Sequence, residues 1–518
     1  MSNAAVNAKA LLSLNTQPVE LHHLARPELS VRGGQVQKKK ILFVTPELTD
    51  LIKTGGLGDV SAALPRALGA RHDVRVLMPG YRQVMRSGQP IRVVGRLAAY
   101  HDLPACRIGR IDLSDGLIVY VLICPELYER DGSPYCDASG RDYPDNALRF
   151  ARLSQAAAQI AAGDAGIRWC PEAVHAHDWP AGLVPAYLRW RGLATPCVFT
   201  IHNLGYQGVI DMGLREPLGI PESACHMERM EFYGKLSLLK AGLAYADHIT
   251  TVSARYAEEI TTPEHGHGLD GFLRVKARQG LLTGIRNGID DSWDSACDPH
   301  LASPFDIRDW HRRAANTAHV RQMMGLAPSD GPLFAVVSRL VYQKGLDLTL
   351  KVVDTLLEAG GQLAVIGQGE AKVENALRAL AVRHPGQVGV HIGFNEADAR
   401  RLYAGSDFLL MPSRYEPCGL SQMYALRYGS LPIARRTGGL ADTIEDGLTG
   451  FLFDDLDVAS YRRAVRRALD LYRHTELLNA MRCRAMSTEF FWHQSIEPYD
   501  RLFRALLERA SRRESDHR

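Results

Sequence analysis

The sequence predicts an α/β protein with two doubly wound, Rossmann-like domains that face each other across a cleft. From Lys40 onward, short apolar segments of strand character alternate with longer helical patterns, which is typical of parallel sheets covered by helices on both faces. The rhythm occurs once before and once after Asn287-Gly288. A chain of 518 residues also exceeds what one hydrophobic core usually supports.

The predicted elements follow this alternation in both halves. Helices are predicted at 146–162 and 181–190 in the first half and at 346–358 and 396–404 in the second. The predicted strands are 41–45, 74–78, 117–123, 173–177, 198–202 and 248–252, then 333–338, 362–366, 388–392, 407–411 and 431–434.

Four segments follow from this pattern. Residues 1–37 show no sustained periodicity, and we expect a flexible extension there. One Rossmann-like domain is predicted over 38–282 and a second over 283–490. The tail over 491–512 carries apolar residues at helical spacing, which predicts an amphipathic helix that packs back on the N-terminal domain.

Composition narrows the classes of function. The 61 basic and 58 acidic residues give a formal charge of +3, too small to indicate binding to nucleic acid or to a membrane surface. No apolar segment approaches the roughly 18–20 residues that span a bilayer. The nine cysteines form no C-x-x-C pair, which favours reduced thiols over disulfides or a zinc site. A cytoplasmic protein is expected.

A glycine-rich loop follows the first predicted strand. Its sequence from Lys53 is K-T-G-G-L-G-D, and it leads into a helical pattern. Small residues there allow backbone N–H groups to approach an anion, and Lys53 adds positive charge. The glycine spacing matches neither a Walker loop nor a dinucleotide fingerprint. Phosphate binding and a tight turn with a solvated lysine both remain open.

Polar side chains also follow two later strands. His175, His177 and Asp178 lie at the end of one strand, and His202-Asn203 follow the next. Because carboxyl ends of parallel strands meet at one edge, these groups could together bind a polyhydroxylated ligand. A metal site is disfavoured because no third nearby ligand completes the set. For His175 alone, a hydrogen-bonded buried histidine is the favoured interpretation.

The second half of the chain also has polar side chains directly after its predicted strands. Arg339 and Lys344 lie where a strand gives way to a helix and could hold a diphosphate, although two such residues in a loop are often simply solvated. Glu416 is expected to face the same cleft. The Thr437-Gly438-Gly439 turn is a second candidate anion cradle.

Together these motifs resemble those of bacterial glycogen synthases and plant starch synthases. The likeness covers about residues 40–510 and implies the glycosyltransferase B-type fold, with the acceptor on the N-terminal domain and the sugar nucleotide on the C-terminal domain. The matching strings are K-T-G-G-L-G-D-V, H-A-H-D-W, H-N-L-G-Y-Q-G, S-R-L-x-x-Q-K-G, P-S-R-Y-E-P-C-G-L and R-R-T-G-G-L.

The resemblance also implies roles for individual residues. His202, Glu416, Asp178, Arg339 and Lys344 would form the catalytic set, with Asp178 and His202 holding the transferred glucose and Glu416 beside it. Contacts to the donor would come from Lys53, Gly55, Gly56, Arg339, Lys344, Asn287, Cys418, Gly419, Leu420, Thr437, Gly438 and Gly439. The acceptor side would involve Tyr135, Asn203 and Glu47.

The implied activity is transfer of glucose from ADP-glucose to the non-reducing end of an α-1,4-glucan such as glycogen, with retention of configuration. Neither a cofactor nor a metal is expected, and the preference for ADP over UDP rests on the resemblance alone. The alternatives are another retaining sugar-nucleotide transferase of the same fold and a non-catalytic glucan-binding protein. A glycogen phosphorylase is disfavoured because no signature for a pyridoxal phosphate lysine is present.

Overall fold

The structure, a computed structural model, describes residues 38–516 and contains two large sheets. The first has nine strands in the order β12-β11-β7-β6-β1-β2-β5-β4-β3. These strands are β1 (Lys39–Val44), β2 (His72–Pro79), β3 (Arg92–Leu97), β4 (Cys106–Asp112), β5 (Ile118–Ile123), β6 (Ala173–His177), β7 (Cys197–Ile201), β11 (His248–Thr251) and β12 (Leu282–Gly284).

The second large sheet has six strands, and every pairing in it is parallel. Its order is β15-β14-β13-β16-β17-β18. The strands are β13 (Leu333–Val337), β14 (Gln362–Gly367), β15 (Val388–Ile392), β16 (Phe408–Met411), β17 (Leu431–Arg435) and β18 (Phe451–Phe453). A small antiparallel sheet contains β8 (Val209–Ile210), β9 (Glu231–Phe232) and β10 (Lys235–Ser237).

Helices connect the parallel strands. In the first half they are α1 (Gly56–Gly69), α2 (Arg82–Met85), α3 (Pro125–Tyr128), α4 (Asn146–Ala161), α5 (Val184–Trp190), α6 (Leu238–Tyr245), α7 (Ala254–Glu259) and α8 (Asp270–Arg278). In the second half they are α9 (Arg313–Met323), α10 (Leu346–Glu358), α11 (Ala371–Arg383), α12 (Glu396–Gly405), α13 (Ser421–Arg427), α14 (Gly438–Thr443), α15 (Val458–Tyr472), α16 (Thr475–Ser487) and α17 (Trp492–Asp516).

The α/β architecture with two parallel sheets is confirmed, and each predicted strand overlaps an observed one. One edge of the first sheet differs from the expectation, because β3 and β4 pair antiparallel with each other and β4 with β5. Strand β3 has the sequence R-V-V-G-R-L and is largely exposed. Such polar edge strands lack the continuous apolar pattern of a buried parallel strand and are hard to recognise in a sequence.

The helix predicted over 181–190 is shorter than expected. A 3₁₀ turn, Trp179–Ala181, comes first and α5 begins at Val184. Pro185 lies in the first turn of α5, where its missing N–H costs no helical hydrogen bond. None of the helices within residues 38–516 is long and apolar enough to cross a bilayer.

The C-terminal helix α17 packs on the first sheet. Tyr499 and Phe503 are fully buried, and their rings lie 5.5 and 5.6 Å from that of His175. Asp500 accepts hydrogen bonds from Arg71 and bonds His72 at 2.9 Å. From Lys39 onward the chain groups as one unit by its contacts, so the boundary between residues 282 and 283 stays a prediction. The predicted extension over 1–37 lies outside the described residues.

Replacing Phe503 with alanine should lower the free energy of unfolding by about 3–5 kcal/mol, because it leaves a cavity between α17 and the first sheet. Urea denaturation measures the change. Arg501→Ala, on the exposed side of the same helix, is the control and should stay within about 0.5 kcal/mol of the parent. Equal effects of the two substitutions would contradict the packing of α17.

Candidate functional site

Three chain segments lie side by side at the carboxyl edge of the first sheet. Strand β6 lies between β1 and β7, and all three are parallel. They end directly before Thr45, Asp178 and His202. The polar groups that follow each strand therefore lie side by side at the edge where ligands of open α/β sheets bind.

Asp178 lies at this edge in a strained backbone conformation. Its φ of 54° and ψ of −177° fall in a region that side-chain-bearing residues rarely adopt, at a cost of about 1–3 kcal/mol. Its Oδ1 accepts N–H hydrogen bonds from His202 at 2.6 Å and from Asn203 at 3.4 Å. Burial nevertheless raises the pKa of this carboxyl to about 7. The surrounding chain thus holds one titratable carboxyl in a fixed orientation.

The three neighbouring histidines are neutral. Burial lowers the pKa of His175 and of His202 to about 3, and it lowers that of His177 well below its usual value. His177 Nδ1 lies 2.9 Å from His202 Nε2, and His175 Nε2 bonds Thr200 at 2.7 Å. The interpretation of His175 as a hydrogen-bonded buried histidine is confirmed. The described part of the chain contains no group of three or more His, Cys, Asp or Glu that could hold a metal ion.

The glycine-rich loop wraps a buried carboxylate. Glu47 Oε2 accepts the N–H groups of Thr54 at 2.6 Å and Gly55 at 3.0 Å, and its Oε1 accepts the Tyr135 hydroxyl at 2.5 Å. Burial raises the pKa of Glu47. Three residues predicted near the substrates, Glu47, Gly55 and Tyr135, are therefore in direct contact.

Lys53 extends from this loop towards the second half of the chain. Its ammonium bonds Asp59 at 2.6 Å and lies 5.7 Å from the ring centroid of Phe394. The side chain is 29% exposed and that of Asp59 is 26% exposed. Lys53 is therefore a cation held by Asp59 close to the second half of the chain, not a freely solvated one.

In the second half, Lys344 and Glu416 meet at the end of β13 and β16. The Lys344 ammonium donates to Glu416 Oε2 at 2.6 Å, and the Ser413 hydroxyl donates to the same oxygen at 2.9 Å. Glu416 is buried. Arg339 contacts Gln343 at 3.4 Å. The two predicted basic residues thus lie on one loop, and one of them pairs with the predicted acid.

Gly345 allows the loop that carries Lys344 to approach the segment that carries Glu416. Gly345 has a φ of +67°, and a Cβ there would lie 2.0 Å from the Pro412 carbonyl oxygen. The loop that carries Lys344 can therefore pack directly on the segment that carries Glu416 only without a side chain at 345.

The Cys418-Gly419-Leu420 segment leads into α13. Burial raises the pKa of the Cys418 thiol to about 12, so it stays protonated, and a hydrogen bond joins it to the Asn287 backbone. The Asn287 amide oxygen is buried and has no partner within the described residues. Cys418 and Asn287, both predicted to contact the sugar nucleotide, are therefore neighbours. The side-chain oxygen of Asn287 can still accept a hydrogen bond.

The Thr437-Gly438-Gly439 turn faces a protein carboxylate. Glu259 accepts the Gly438 N–H at 3.0 and 3.1 Å and the Thr437 hydroxyl at 3.1 Å. The Gly439 N–H donates to the Glu416 carbonyl oxygen at 3.0 Å. The donors of this predicted cradle are present, and in this structure they bind groups of the chain itself.

Contacts between the halves bring the two edges together. A Cβ on Gly56, in the glycine-rich loop, would lie 3.9 Å from a methyl group of Leu420. The Asn203 side chain hydrogen-bonds Tyr415, the neighbour of Glu416. The predicted residues therefore form two clusters that face each other, one from each sheet.

Several site residues escaped the sequence analysis, namely Ser413, Tyr415, Phe394, Gln343 and Glu259. Glu259 carried a usable signal, since it lies at helical spacing from the buried Tyr256 and next to the buried Ile260. An acid on the buried face of a helix needs a partner.

Comparison with known proteins agrees with the fold and the motifs. Residues 40–275 match the family described as starch synthase catalytic domain, and residues 324–486 match glycosyl transferases group 1. The catalytic domain of starch synthase IV from Arabidopsis thaliana, solved with ADP and acarbose, superposes with a TM-score of 0.80 at 29% identity, covering 91% of this chain and all of that one.

Curated relatives are closer in sequence. The glycogen synthase of Pseudomonas putida is 67% identical over 476 residues, which is 92% of each chain. That of Pseudomonas aeruginosa is 59% identical over 471 residues, 91% of this chain and 92% of the relative. The family resemblance and the glycosyltransferase B-type fold predicted from the motifs are confirmed. The chain belongs to the glycogen synthase family of hexosyltransferases.

Proposed function

We propose that the chain transfers glucose from ADP-glucose to the non-reducing end of an α-1,4-glucan such as glycogen. Family membership supports the glucan, and the ADP-bound starch synthase relative supports the adenine nucleotide. The observation that carries the proposal is the meeting of two clusters: Lys344 with Glu416 on one sheet, and Asp178 with His202 on the other. Lys344 suits a diphosphate, whereas Glu416, Asp178 and His202 suit the sugar attached to it.

The diphosphate is assigned to the cationic loops. Arg339 and Lys344 approach it from the second sheet, and Lys53 with the Gly55-Gly56 turn approaches from the first. These three cations can neutralise the charge that develops on the leaving group without a metal. We leave the Thr437-Gly438-Gly439 turn out of this assignment because the donors of Thr437 and Gly438 bind Glu259 and the Gly439 N–H binds the Glu416 carbonyl oxygen.

The transferred glucose is assigned to the space between the clusters. Asp178 and His202 lie on one side of it and Glu416 on the other, with the Cys418-Gly419-Leu420 amides near the sugar hydroxyls. The buried polar groups there suit a ligand rich in hydroxyl groups. On the acceptor side we place Asn203, Glu47 and Tyr135, and we place Asn287 beside the donor.

Front-face attack is the step that these groups fit best. The acceptor's 4-hydroxyl oxygen bonds to C1 on the face from which the diphosphate departs, and the hydroxyl proton passes to a phosphate oxygen. The bond from C1 to the phosphate oxygen breaks in the same step, so the α configuration is retained. Arg339 and Lys344 stabilise the leaving group, whereas Glu416, held by Lys344 and Ser413, stabilises positive charge on the sugar.

We place the reaction in the cytoplasm. All nine cysteines are free thiols, which fits a reducing compartment.

The donor and acceptor are tested by nucleotide release. The full chain is incubated with ADP-glucose or UDP-glucose, each with and without glycogen, in the presence of a chelator. ADP release that requires glycogen is expected, together with labelled glucan that an α-1,4-specific amylase digests. Transfer to a small sugar instead would favour another transferase of this fold, and glycogen binding without nucleotide release would favour a non-catalytic protein.

Lys344→Ala should lower kcat by roughly 10²–10³-fold, the usual cost of removing one preorganised charge from the leaving group. The matched variant is Ser413→Ala, which removes the other side-chain donor to Glu416 Oε2. It should lower kcat by less than about tenfold, because it removes only one neutral donor. Equal losses in the two variants would mean that Lys344 acts only by holding Glu416. Lys372→Ala, at an exposed position, controls for loss of surface charge.

The rate should also depend on pH through Asp178. Its carboxyl has a pKa of about 7, so the ionised form that accepts sugar hydroxyls is lost as pH falls below that value. We expect kcat/KM to rise with pH to a plateau, with a midpoint near 7. His202 cannot supply this midpoint, since its pKa is about 3. Asp178→Asn should be slower and lack the rising limb; a limb that persists in this variant would contradict the assignment.

A further inference from the structure

Two short helices meet where the halves of the chain contact each other. Helix α7 belongs to the first half and α14 to the second, and a carboxylate of each helix accepts an N–H from the first turn of the other. Glu259, the last residue of α7, accepts the Gly438 N–H at the start of α14. Asp442 of α14 accepts the Arg255 N–H at 3.0 Å. The pairing is reciprocal and ties the two halves together.

The Glu259 carboxylate is well satisfied despite its burial. Glu259 is 7% exposed and Thr437 is 1% exposed. Besides the bonds from Gly438 and Thr437, the Arg255 guanidinium lies 3.5 Å away. A buried carboxylate is stable only with such charge-assisted partners. The Thr437-Gly438 turn is therefore an anion cradle, as its sequence indicates, but its anion is a side chain from the other half of the chain.

The same contact reaches the segment that carries Glu416. A Cβ on Gly438 would lie 2.0 Å from the Glu416 carbonyl oxygen, so the turn and this segment are in direct backbone contact. The Gly439 N–H donates to that oxygen at 3.0 Å. Ser253, the residue that caps α7, donates its hydroxyl to the Pro417 carbonyl oxygen at 2.5 Å. Residues 416–417 are thus held from both sides by α7 and by the turn that Glu259 anchors.

We propose that Glu259 is a positioning residue for the transfer reaction: through Thr437 and Gly438 it fixes the backbone of Glu416 across the two halves of the chain. The inference rests on the proposed function, in which Glu416 stabilises charge on the sugar. The turn serves this carboxylate and not the phosphates of the donor.

Removing the carboxylate has a specific kinetic consequence. The Gly438 N–H and Thr437 hydroxyl lose their acceptor, and the turn is no longer fixed against residues 416–417. Misplacing a reacting group by about 1 Å can cost up to roughly 100-fold in rate. Arg339 and Lys344 lie on a different loop, so the contacts that hold the donor's diphosphate are retained. The loss should therefore appear in kcat and not in KM.

The test compares Glu259→Ala with Glu258→Ala, its neighbour on the same helix, which is exposed and pairs with Arg255. We expect kcat to fall about 10- to 100-fold in Glu259→Ala, with the KM for ADP-glucose within roughly threefold of the parent. Sodium formate should restore part of the activity by supplying a carboxylate to the vacated turn, and sodium chloride should not. Glu258→Ala should match the parent.

Two outcomes would overturn the inference. One is a kcat close to that of the parent in Glu259→Ala. The other is a large rise in the KM for ADP-glucose with kcat unchanged, because the carboxylate would then act on the donor's phosphates. If Glu259→Ala fails to fold, Thr437→Val removes one bond to the carboxylate at nearly constant volume. It should show the same loss in kcat to a smaller degree, and an unchanged kcat would overturn the inference.

Hydrogen exchange separates this inference from the proposed function. The amides of Gly438 and Gly439 should exchange faster in Glu259→Ala than in Glu258→Ala, and formate should slow them again. This readout needs no substrate, so it stands even if the parent chain transfers glucose from neither nucleotide. Unchanged protection of both amides in Glu259→Ala would contradict the positioning role.

Discussion

The functional residues of a parallel sheet lie at the edge where its strands end. In this protein two such edges must face each other. The first sheet supplies Asp178 and His202, and the second supplies Lys344 and Glu416. Under the proposed function neither set is sufficient alone, because a sugar nucleotide carries both a diphosphate and a sugar. The proposed site therefore depends on the contacts that hold these two edges opposite each other, and the pairing of α7 with α14 is one of them.

Burial of carboxylates is the main electrostatic cost of this arrangement. Glu47, Asp178, Glu259 and Glu416 are all buried, and each accepts at least two hydrogen bonds from backbone or side-chain donors. The neighbouring histidines avoid the same cost by staying neutral. The pKa values of Glu47 and Asp178 are nevertheless raised, because the hydrogen bonds that these two carboxyls accept do not offset their burial. Lys53 and Lys344 pair with Asp59 and Glu416, and under the proposed function these two lysines and Arg339 would meet the diphosphate.

Much of this could be predicted from local patterns. Strand ends and glycine-rich turns are encoded within a few residues, so the positions of Lys53, Asp178, Arg339 and Glu416 in their loops followed from the sequence. The antiparallel edge formed by β3 and β4 could not be predicted, because exposed strands such as R-V-V-G-R-L lack an apolar pattern. The partner of the Thr437-Gly438 turn could not be identified either, since Glu259 lies 178 residues earlier than Thr437 and only the folded chain brings them together.

We propose that the loops of the second sheet hold the leaving diphosphate opposite Asp178 and His202 of the first. The most direct test is an experimental structure of the chain with ADP and a glucose-like ligand. We expect the β-phosphate within hydrogen-bonding distance of Arg339 and Lys344, with Asp178 and His202 facing the sugar. A diphosphate that contacts neither Arg339 nor Lys344, with Lys344 still bound only to Glu416, would contradict it.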